Sequence, residues 1–456
     1  MTPQRENQLT LARILGVSED EAAVKLEKRI AVTSSSHEAA ALAADVRQYI
    51  ERSVALSKSG DPADLEILIG ADPRIRSDVK LFVSLSSAGI SVGSAGPSHI
   101  DDCHPLLSAI AACYVAGFAL CRVLGLETTH CPDDVLTVRF ADLGVSPGIL
   151  ETNVDLSDTV LVGAGAIGNA FLFSLRHVTV SGELTVADPK DVGGGNANRC
   201  VYFDESSHGP KAVELCRRAQ LDFPKLTLTP YLGTFSDVVK ERGRVKRAIV
   251  AADSRRVRRS IQADLPFEVI DASTSGAEEI VVYSRLQPTY GACLACVYKH
   301  VPVEDARERD IAAGLGISID EVKRQFIDEA IADKIAVSHP NLCARDLVGR
   351  AFDSLFKELC STQALLLPSG EQVLAPFAFV SGLAGALLVV QLLRATNSAA
   401  LGEPLGSETF FVNPWRRPNA RMRKLRPRDP DCAFCSDAVR LEVMREIWQD
   451  LLSPSR

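Results

Sequence analysis

The stretch from Val160 to Phe203, VLVGAGAIGNAFLFSLRHVTVSGELTVADPKDVGGGNANRCVYF, constrains the fold more than any other part of the chain. A short apolar run ends at Gly163, and Gly163, Gly165 and Gly168 follow as G-x-G-x-x-G. An apolar helix pattern comes next, then a second strand, Glu183 to Ala187, ending at Asp188. Glycines at such a turn let the backbone bend tightly and let a phosphate approach the start of a helix. Asp188 lies about twenty residues beyond Gly168, where a carboxylate can hold ribose hydroxyls. Up to this point a Rossmann unit for a nicotinamide or flavin cofactor reads the same way.

The residues beyond Val192 separate the alternatives. Three glycines lead into Asn196, Ala197, Asn198 and Arg199; Lys211 comes later in HGPKA, and Asp253 in VAADSRRVRR after another apolar strand. A dehydrogenase has no need of an Asn, an Arg and a Lys converging on the phosphate end of its nucleotide. An enzyme directing attack on the α-phosphate of ATP does: cations must neutralise the β- and γ-phosphates, and a carboxylate must hold Mg²⁺.

At these residues the chain resembles the ThiF/MoeB superfamily, which includes ubiquitin-activating enzymes. Asp188, Val192, Asn196, Arg199, Lys211 and Asp253 fall on that family's D-x-D-x-V-x-x-x-N-x-x-R, following Lys and strand-end Asp pattern. Two positions depart from it: Lys190 stands in place of the second Asp, and Cys200 in place of the usual Gln after the Arg. The resemblance covers roughly residues 155 to 440. It implies ATP and Mg²⁺ as cofactors, with Gly163, Gly165, Gly168, Asp188, Asn196, Arg199, Lys211 and Asp253 binding the nucleotide. Arg199, Lys211 and Asp253 would also act in catalysis.

The chain's 456 residues leave room for two or three domains. A net charge of −8 argues against general nucleic-acid binding. The polar opening MTPQRENQLT has no signal-peptide character. Pro105–Leu124 and Pro376–Leu393 are apolar enough to span a membrane, but a fully buried helix of a large domain has the same composition. The expectation is a cytoplasmic protein with no membrane segment, its twelve cysteines reduced or metal-bound. The basic run Arg416–Arg428 reads as a solvated loop or as a docking surface for an acidic partner.

The expected fold class is α/β. Residues 156–290 alternate strands (Thr159–Val162, Leu184–Ala187, Leu226–Tyr231, Arg247–Ala251, Glu268–Asp271) with helices, which gives an active Rossmann-like adenylation domain with a mainly parallel sheet. Residues 1–155 lack the glycine fingerprint. Leu15-Gly-Val-Ser-Glu-Asp-Glu21 nevertheless recurs as Leu315-Gly-Ile-Ser-Ile-Asp-Glu321, each copy with a Ser-x-x-Glu capping box that starts a helix, and a proline-led apolar helix follows each. We read residues 1–155 as a degenerate, inactive adenylation-like domain that kept the later half of the fold and lost its nucleotide half. Residues 291–375 form the crossover and catalytic-cysteine region. Residues 376–456 supply the closing helix, the basic loop and a second cysteine knuckle.

Cys293-Leu-Ala-Cys296 and Cys432-Ala-Phe-Cys435 suit a closed structural Zn²⁺ site that pins the C-terminal segment. Arg258 is either a nucleotide-pocket residue or part of a solvated helix face. Cys103-His104 and His130-Cys131 lack a metal knuckle and read as core cysteines beside surface histidines. By the resemblance, the thioester-forming cysteine lies between the first CxxC and the long apolar helix, which leaves Cys360 and, as runner-up, Cys343. The function expected is activation of a ubiquitin-like modifier protein: adenylation, thioester capture, then transfer to a ubiquitin-conjugating-enzyme-like protein. The pairing of an inactive with an active half resembles activating enzymes of bacterial ubiquitin-like conjugation operons linked to phage defence. A sulphur-carrier adenylyltransferase of thiamine or molybdopterin type is the alternative, and a nucleotide-binding scaffold without turnover the third. The chain would act as a monomer with pseudo-dimeric halves or as a homodimer.

Overall fold

The computed structural model describes residues 2–452 except 59–60, 72–76, 127–129, 132, 276, 287–290, 300–301, 325, 353–354, 357–358, 360–376 and 399–406. Two sheets organise it. The first contains β1 (Arg29–Ser34), β2 (Ala55–Leu56), β3 (Leu65–Ile69), β4 (Lys80–Ser86), β5 (Gly89–Gly93) and β6 (Val135–Arg139), in the order β2-β1-β3-β4-β5-β6. The second contains β7 (Val154–Asp155), β8 (Thr159–Val162), β9 (Val180–Ala187), β10 (Leu226–Tyr231), β11 (Arg247–Val250), β12 (Glu268–Ser275), β13 (Glu279–Leu286), β14 (Glu408–Val412) and β15 (Arg423–Leu425). Its order is β10-β9-β8-β11-β12-β13-β14-β15, with β7 beside β9. The strands from β10 to β12 run parallel and those beyond β12 antiparallel. This is the mixed α/β, mainly parallel architecture expected from the alternating apolar runs.

The two halves share a topology. β2-β1-β3-β4 correspond to β9-β8-β11-β12, β5 corresponds to β13, and a long buried helix precedes β6 as one precedes β14. The N-terminal half therefore retains the strand–turn–helix of a nucleotide-binding half, β1 followed by helix His37–Ile50, contrary to the expectation that it had lost it. What it lacks is the glycines. Ser35, Ser36 and His37 occupy the turn; Ser35 Oγ bonds the Gly70 carbonyl, and Ser98 fills the neighbouring strand ends.

The LGVSEDE repeat does not mark this equivalence. Both capping boxes form, at Ser18/Glu21 and Ser318/Glu321. The first precedes β1, however, whereas the second lies within the crossover after β13 and starts a helix of only one turn, Ile319–Val322.

The two long apolar helices, Pro105–Leu124 and Ala378–Thr396, lie inside the protein, with 83% and 94% of their apolar windows buried. They pack on each other and on helix Ala166–Leu175. Their small residues are there for close approach. A Cβ at Gly385 would meet the Ala170 and Phe171 backbone at 2.4 and 2.5 Å, and one at Gly117 the Phe379 ring at 2.7 Å. One apolar core runs from Leu11 through Tyr49 and Phe171 to Trp415 and joins the halves, and a second, within the C-terminal half, includes Val160, Val250 and Tyr283. The crossover forms its own small core from residues including Leu315, Ile331, Ile335 and Phe352. It docks through a buried ion pair, Arg256 Nη2 to Glu308 Oε1 at 2.7 Å.

A second buried pair ties the halves together. Arg176 stacks 3.7 Å above the Phe173 ring and reaches Asp45 Oδ1 at 3.1 Å. Burial raises the Asp45 pKa to about 6, although the charge and hydrogen bond of Arg176 pull it down. Because the folded pKa lies above the unfolded one, this group's contribution to stability is complete below about pH 4 and is lost as pH rises through about 6. Between pH 5 and 7 the wild type should therefore lose about 1 kcal/mol relative to Asp45→Asn, read from urea unfolding at each pH. Parallel pH profiles for the two proteins would contradict it.

Candidate adenylation site and cysteine cluster

β8 is short and wholly buried, and it delivers the chain to the turn at the carboxyl end of the sheet. The three glycines there have different duties. Gly163 has φ +104°, and a Cβ on it would meet the Ala251 carbonyl oxygen at 2.8 Å. A Cβ on Gly168 would fall 2.0 Å from the Gly163 oxygen, so this residue lets the helix lie against the strand. Gly165, which caps helix Ala166–Leu175, faces open space with nothing within 4 Å. The protein's own packing requires the first and third glycines, and the second leaves the helix N-terminus accessible to an anion.

Asp188 is buried. Its Oδ2 accepts the Ala164 N–H and its Oδ1 the Lys190 N–H, both at 2.8 Å. It thus fixes the glycine turn to the loop after β9, and a ribose contact would use the remaining lone pairs. The Lys190 carbonyl accepts the Lys211 N–H at 2.9 Å, which brings helix Lys211–Ala219 to the same place. The Lys190 ammonium lies 2.9 Å from Asp253 Oδ2, just past the end of β11. Asn196 Oδ1 accepts the Gly193 N–H at 2.8 Å and shapes its own loop. Arg199, Lys211 and Arg52 all lie near enough to the buried Cys200 thiol to oppose the rise in its pKa that burial causes. The predicted site residues from Gly163 to Asp253 are therefore gathered at one end of the sheet.

Local sequence pattern gave no signal for the partners supplied by the N-terminal half. Glu6 forms an ion pair with Arg199, and Asn7 Oδ1 accepts from Asn198 at 3.2 Å. Arg52 donates to the carbonyls of Ala197, Val201 (2.9 Å) and Phe203 (3.2 Å), and Gln48 donates to that of Val201 at 3.0 Å. The loop expected to meet phosphates is thus clasped by helices Pro3–Leu15 and His37–Ile50.

Other expectations change. Arg258 is not solvated: it is buried, with Nε 2.7 Å from Asp271 Oδ1, and that pairing keeps its guanidinium pKa high despite burial. The basic run is partly internal. Arg423 reaches Glu408, the Gln391 amide and the Leu143 carbonyl, joining β15 to both the long helix and the N-terminal half. His130 is buried against Trp415 rather than at the surface. Cys343 is exposed and leads into the short turn Ala344–Asp346. Cys360 lies outside the described residues.

Cys293, Cys296, Cys432 and Cys435 come together, buried, with all four sulfurs within 4.8 Å of one another. Sγ···Sγ distances of 3.7, 3.6 and 3.4 Å are far too long for a disulfide. They approach the roughly 3.8 Å edge of a tetrahedron built on Zn–S bonds of about 2.3 Å. The donor set fits zinc and leaves no position for a substrate. Among the described residues this is the one cluster that could hold a metal ion.

Comparison with known proteins matches two segments of the chain. A family model described as the E1 N-terminal domain matches residues 2–146, and the ThiF family model matches residues 151–434, more than half of the sequence. The chain belongs to the ThiF family. Its two matched segments pair an E1-type N-terminal domain with a ThiF domain. A Sinorhizobium fredii relative, the uncharacterized protein y4jF, is 28% identical over 320 residues; the match spans 66% of this chain and 60% of the relative's length. Among solved structures, Escherichia coli MccB is 15% identical over 78% of this chain and 95% of its own, with a TM-score of 0.36. PaaA is 14% identical over 60% of this chain and 72% of its own, with a TM-score of 0.34.

The cysteine cluster yields a direct expectation. The protein purified without chelator should contain one zinc per chain, and Cys432→Ser should lose it. Removing the metal should expose the 426–452 segment to hydrogen exchange while the sheet stays protected, because metal binding and local folding are coupled. Metal analysis that finds no zinc, or unchanged exchange after chelation, would contradict this.

Proposed function

We propose that this chain activates a ubiquitin-like modifier protein. It uses ATP to adenylate the modifier's C-terminal carboxylate, captures the acyl group as a thioester and passes it to a conjugating-enzyme-like protein in the cytoplasm. One observation carries the reading: Gly165's open helix terminus, Arg199, Lys211 and Asp253 share one end of a single sheet.

The carboxylate oxygen attacks the α-phosphorus, the bond to the bridging oxygen breaks, and pyrophosphate leaves. Little covalent work falls to the protein; it positions the reactants and offsets the developing charge. Arg199 and Lys211 would meet the departing phosphates, and among the described residues the Lys211 ammonium has no competing partner in the chain. Asp253, with a half-exposed side chain, would hold Mg²⁺, whose part is to neutralise phosphate oxygens. A cysteine thiolate then attacks the acyl carbonyl and AMP leaves. Cys360 is the first candidate and the exposed Cys343 the second. The match of residues 2–146 to an E1 N-terminal domain supports this reading over a sulphur-carrier adenylyltransferase.

Exchange of labelled pyrophosphate into ATP, with the modifier present, tests the first step. Asp253→Ala should lower exchange at least a hundred-fold with little change in melting temperature, since its side chain lies outside the core. Near-normal exchange by that variant would defeat the assignment.

The second step is tested separately. Cys360→Ala should retain pyrophosphate exchange but form no reducible adduct with the modifier. If Cys343→Ala is the variant that loses the adduct, the nucleophile is Cys343.

A further inference from the structure

We propose that Lys190 is a resident cation that holds Asp253 in the nucleotide-free chain, yields it to Mg²⁺, and then turns to the bound triphosphate. This rests on the reading of Asp253 as the metal carboxylate, and it concerns the position where this chain departs from the family pattern.

The geometry favours a moving side chain on a fixed root. The Lys190 backbone is held from both sides: its N–H by Asp188 Oδ1 at 2.8 Å and its carbonyl by the Lys211 N–H at 2.9 Å. Only the four-carbon stem is free to swing, and its ammonium ends on Asp253 Oδ2 at 2.9 Å. An ammonium there and a metal ion compete for the same carboxylate, because both need its oxygen lone pairs.

The surroundings supply both a hold and a release. The Asp253 and Asp188 carboxylates both attract the ammonium and hold it. Arg350, from the crossover, opposes them by repulsion. The pair has little value as a stabilising contact, since Asp253 is half-exposed and ion pairs in such settings contribute about 0–1 kcal/mol. Its placement matters more. Lys190 is joined through the backbone to Lys211 and to the carboxylate that pins the glycine turn, so a displaced ammonium is already beside the phosphate end of the site. Asp253 is thereby neutralised when no metal is present, and a third cation joins Arg199 and Lys211 when it is.

The test is nucleotide binding, not turnover. Fluorescence anisotropy of a labelled ATP analogue is followed on the full chain, first in EDTA and then against rising Mg²⁺, for wild type, Lys190→Met, Lys190→Arg and Asp253→Asn. With Lys190→Met the Mg²⁺ concentration for half-saturation should fall roughly ten-fold, and metal-free affinity should fall by a similar factor, as expected for removing one charge within about 3–4 Å of another. Lys190→Arg keeps the charge and should stay near wild type. Asp253→Asn should abolish the Mg²⁺ dependence. Lys190→Met values within two-fold of wild type on both measures would overturn the proposal and leave a surface ion pair only. If wild type binds no analogue at any Mg²⁺ concentration, the ATP reading fails, and this inference with it.

Discussion

The packing of helix Ala378–Thr396 against helix Ala166–Leu175 is the contact on which the rest of the structure depends. Gly385 brings the two backbones closer than any side chain would permit, and Gly382 does the same against the Tyr49 ring. The fixed partner, Ala166–Leu175, is the helix whose N-terminus is capped by Gly165. A displacement of the long helix would therefore move the open amides at that N-terminus. Tyr49 belongs to the N-terminal half, and Pro105–Leu124 packs on the same long helix. One apolar contact region thus sets the site's floor and fuses the halves.

That fusion explains why the candidate site cannot be divided between domains. The floor comes from β8 and Ala166–Leu175, while the loop from Gly194 to Phe203 is held by Glu6, Asn7, Gln48 and Arg52. Arg52 turns three loop carbonyls toward itself, which fixes where the next residues can point. An N-terminal half without its own glycine turn still has work to do here. It replaces the contact that a free loop would make with water by part-buried hydrogen bonds from Arg52 and Gln48.

Sequence pattern made the C-terminal sheet legible because short apolar runs and glycines at a strand–helix turn have local causes. It also located the four cysteines, since two CxxC knuckles are a local pattern even when they close over a long separation. It misjudged features whose cause lies far away in the chain. Arg258 sits in an arginine-rich stretch that reads as a nucleotide-pocket residue or a solvated face, and it is drawn inside by Asp271. Arg423 reads as part of a basic loop, yet it is tied to Glu408 and to the Leu143 carbonyl. The repeated capping boxes misled for the opposite reason: Ser-x-x-Glu reports a helix start and nothing about where that start sits in a fold. The true correspondence lies in strand order, which no window of sequence contains.

Charge compensation is the remaining constraint. A site built to receive a nucleoside triphosphate with a metal must carry excess positive charge beside an ionised carboxylate, and both are costly to leave unpaired near a low-dielectric floor. This chain meets the difficulty internally. Arg199 is paired with Glu6, and Asp253 with Lys190. On the proposed reading, each pairing would have to be exchanged when the nucleotide and metal arrive, so part of the binding free energy would be spent on the exchange. The gain would be selectivity: an anion or a metal alone would have to open one pair without the compensation that the complex of both provides. Glu6 lies in the first helix and Lys190 in the loop after β9, so that selectivity is shared between the E1-like N-terminal half and the ThiF-type half.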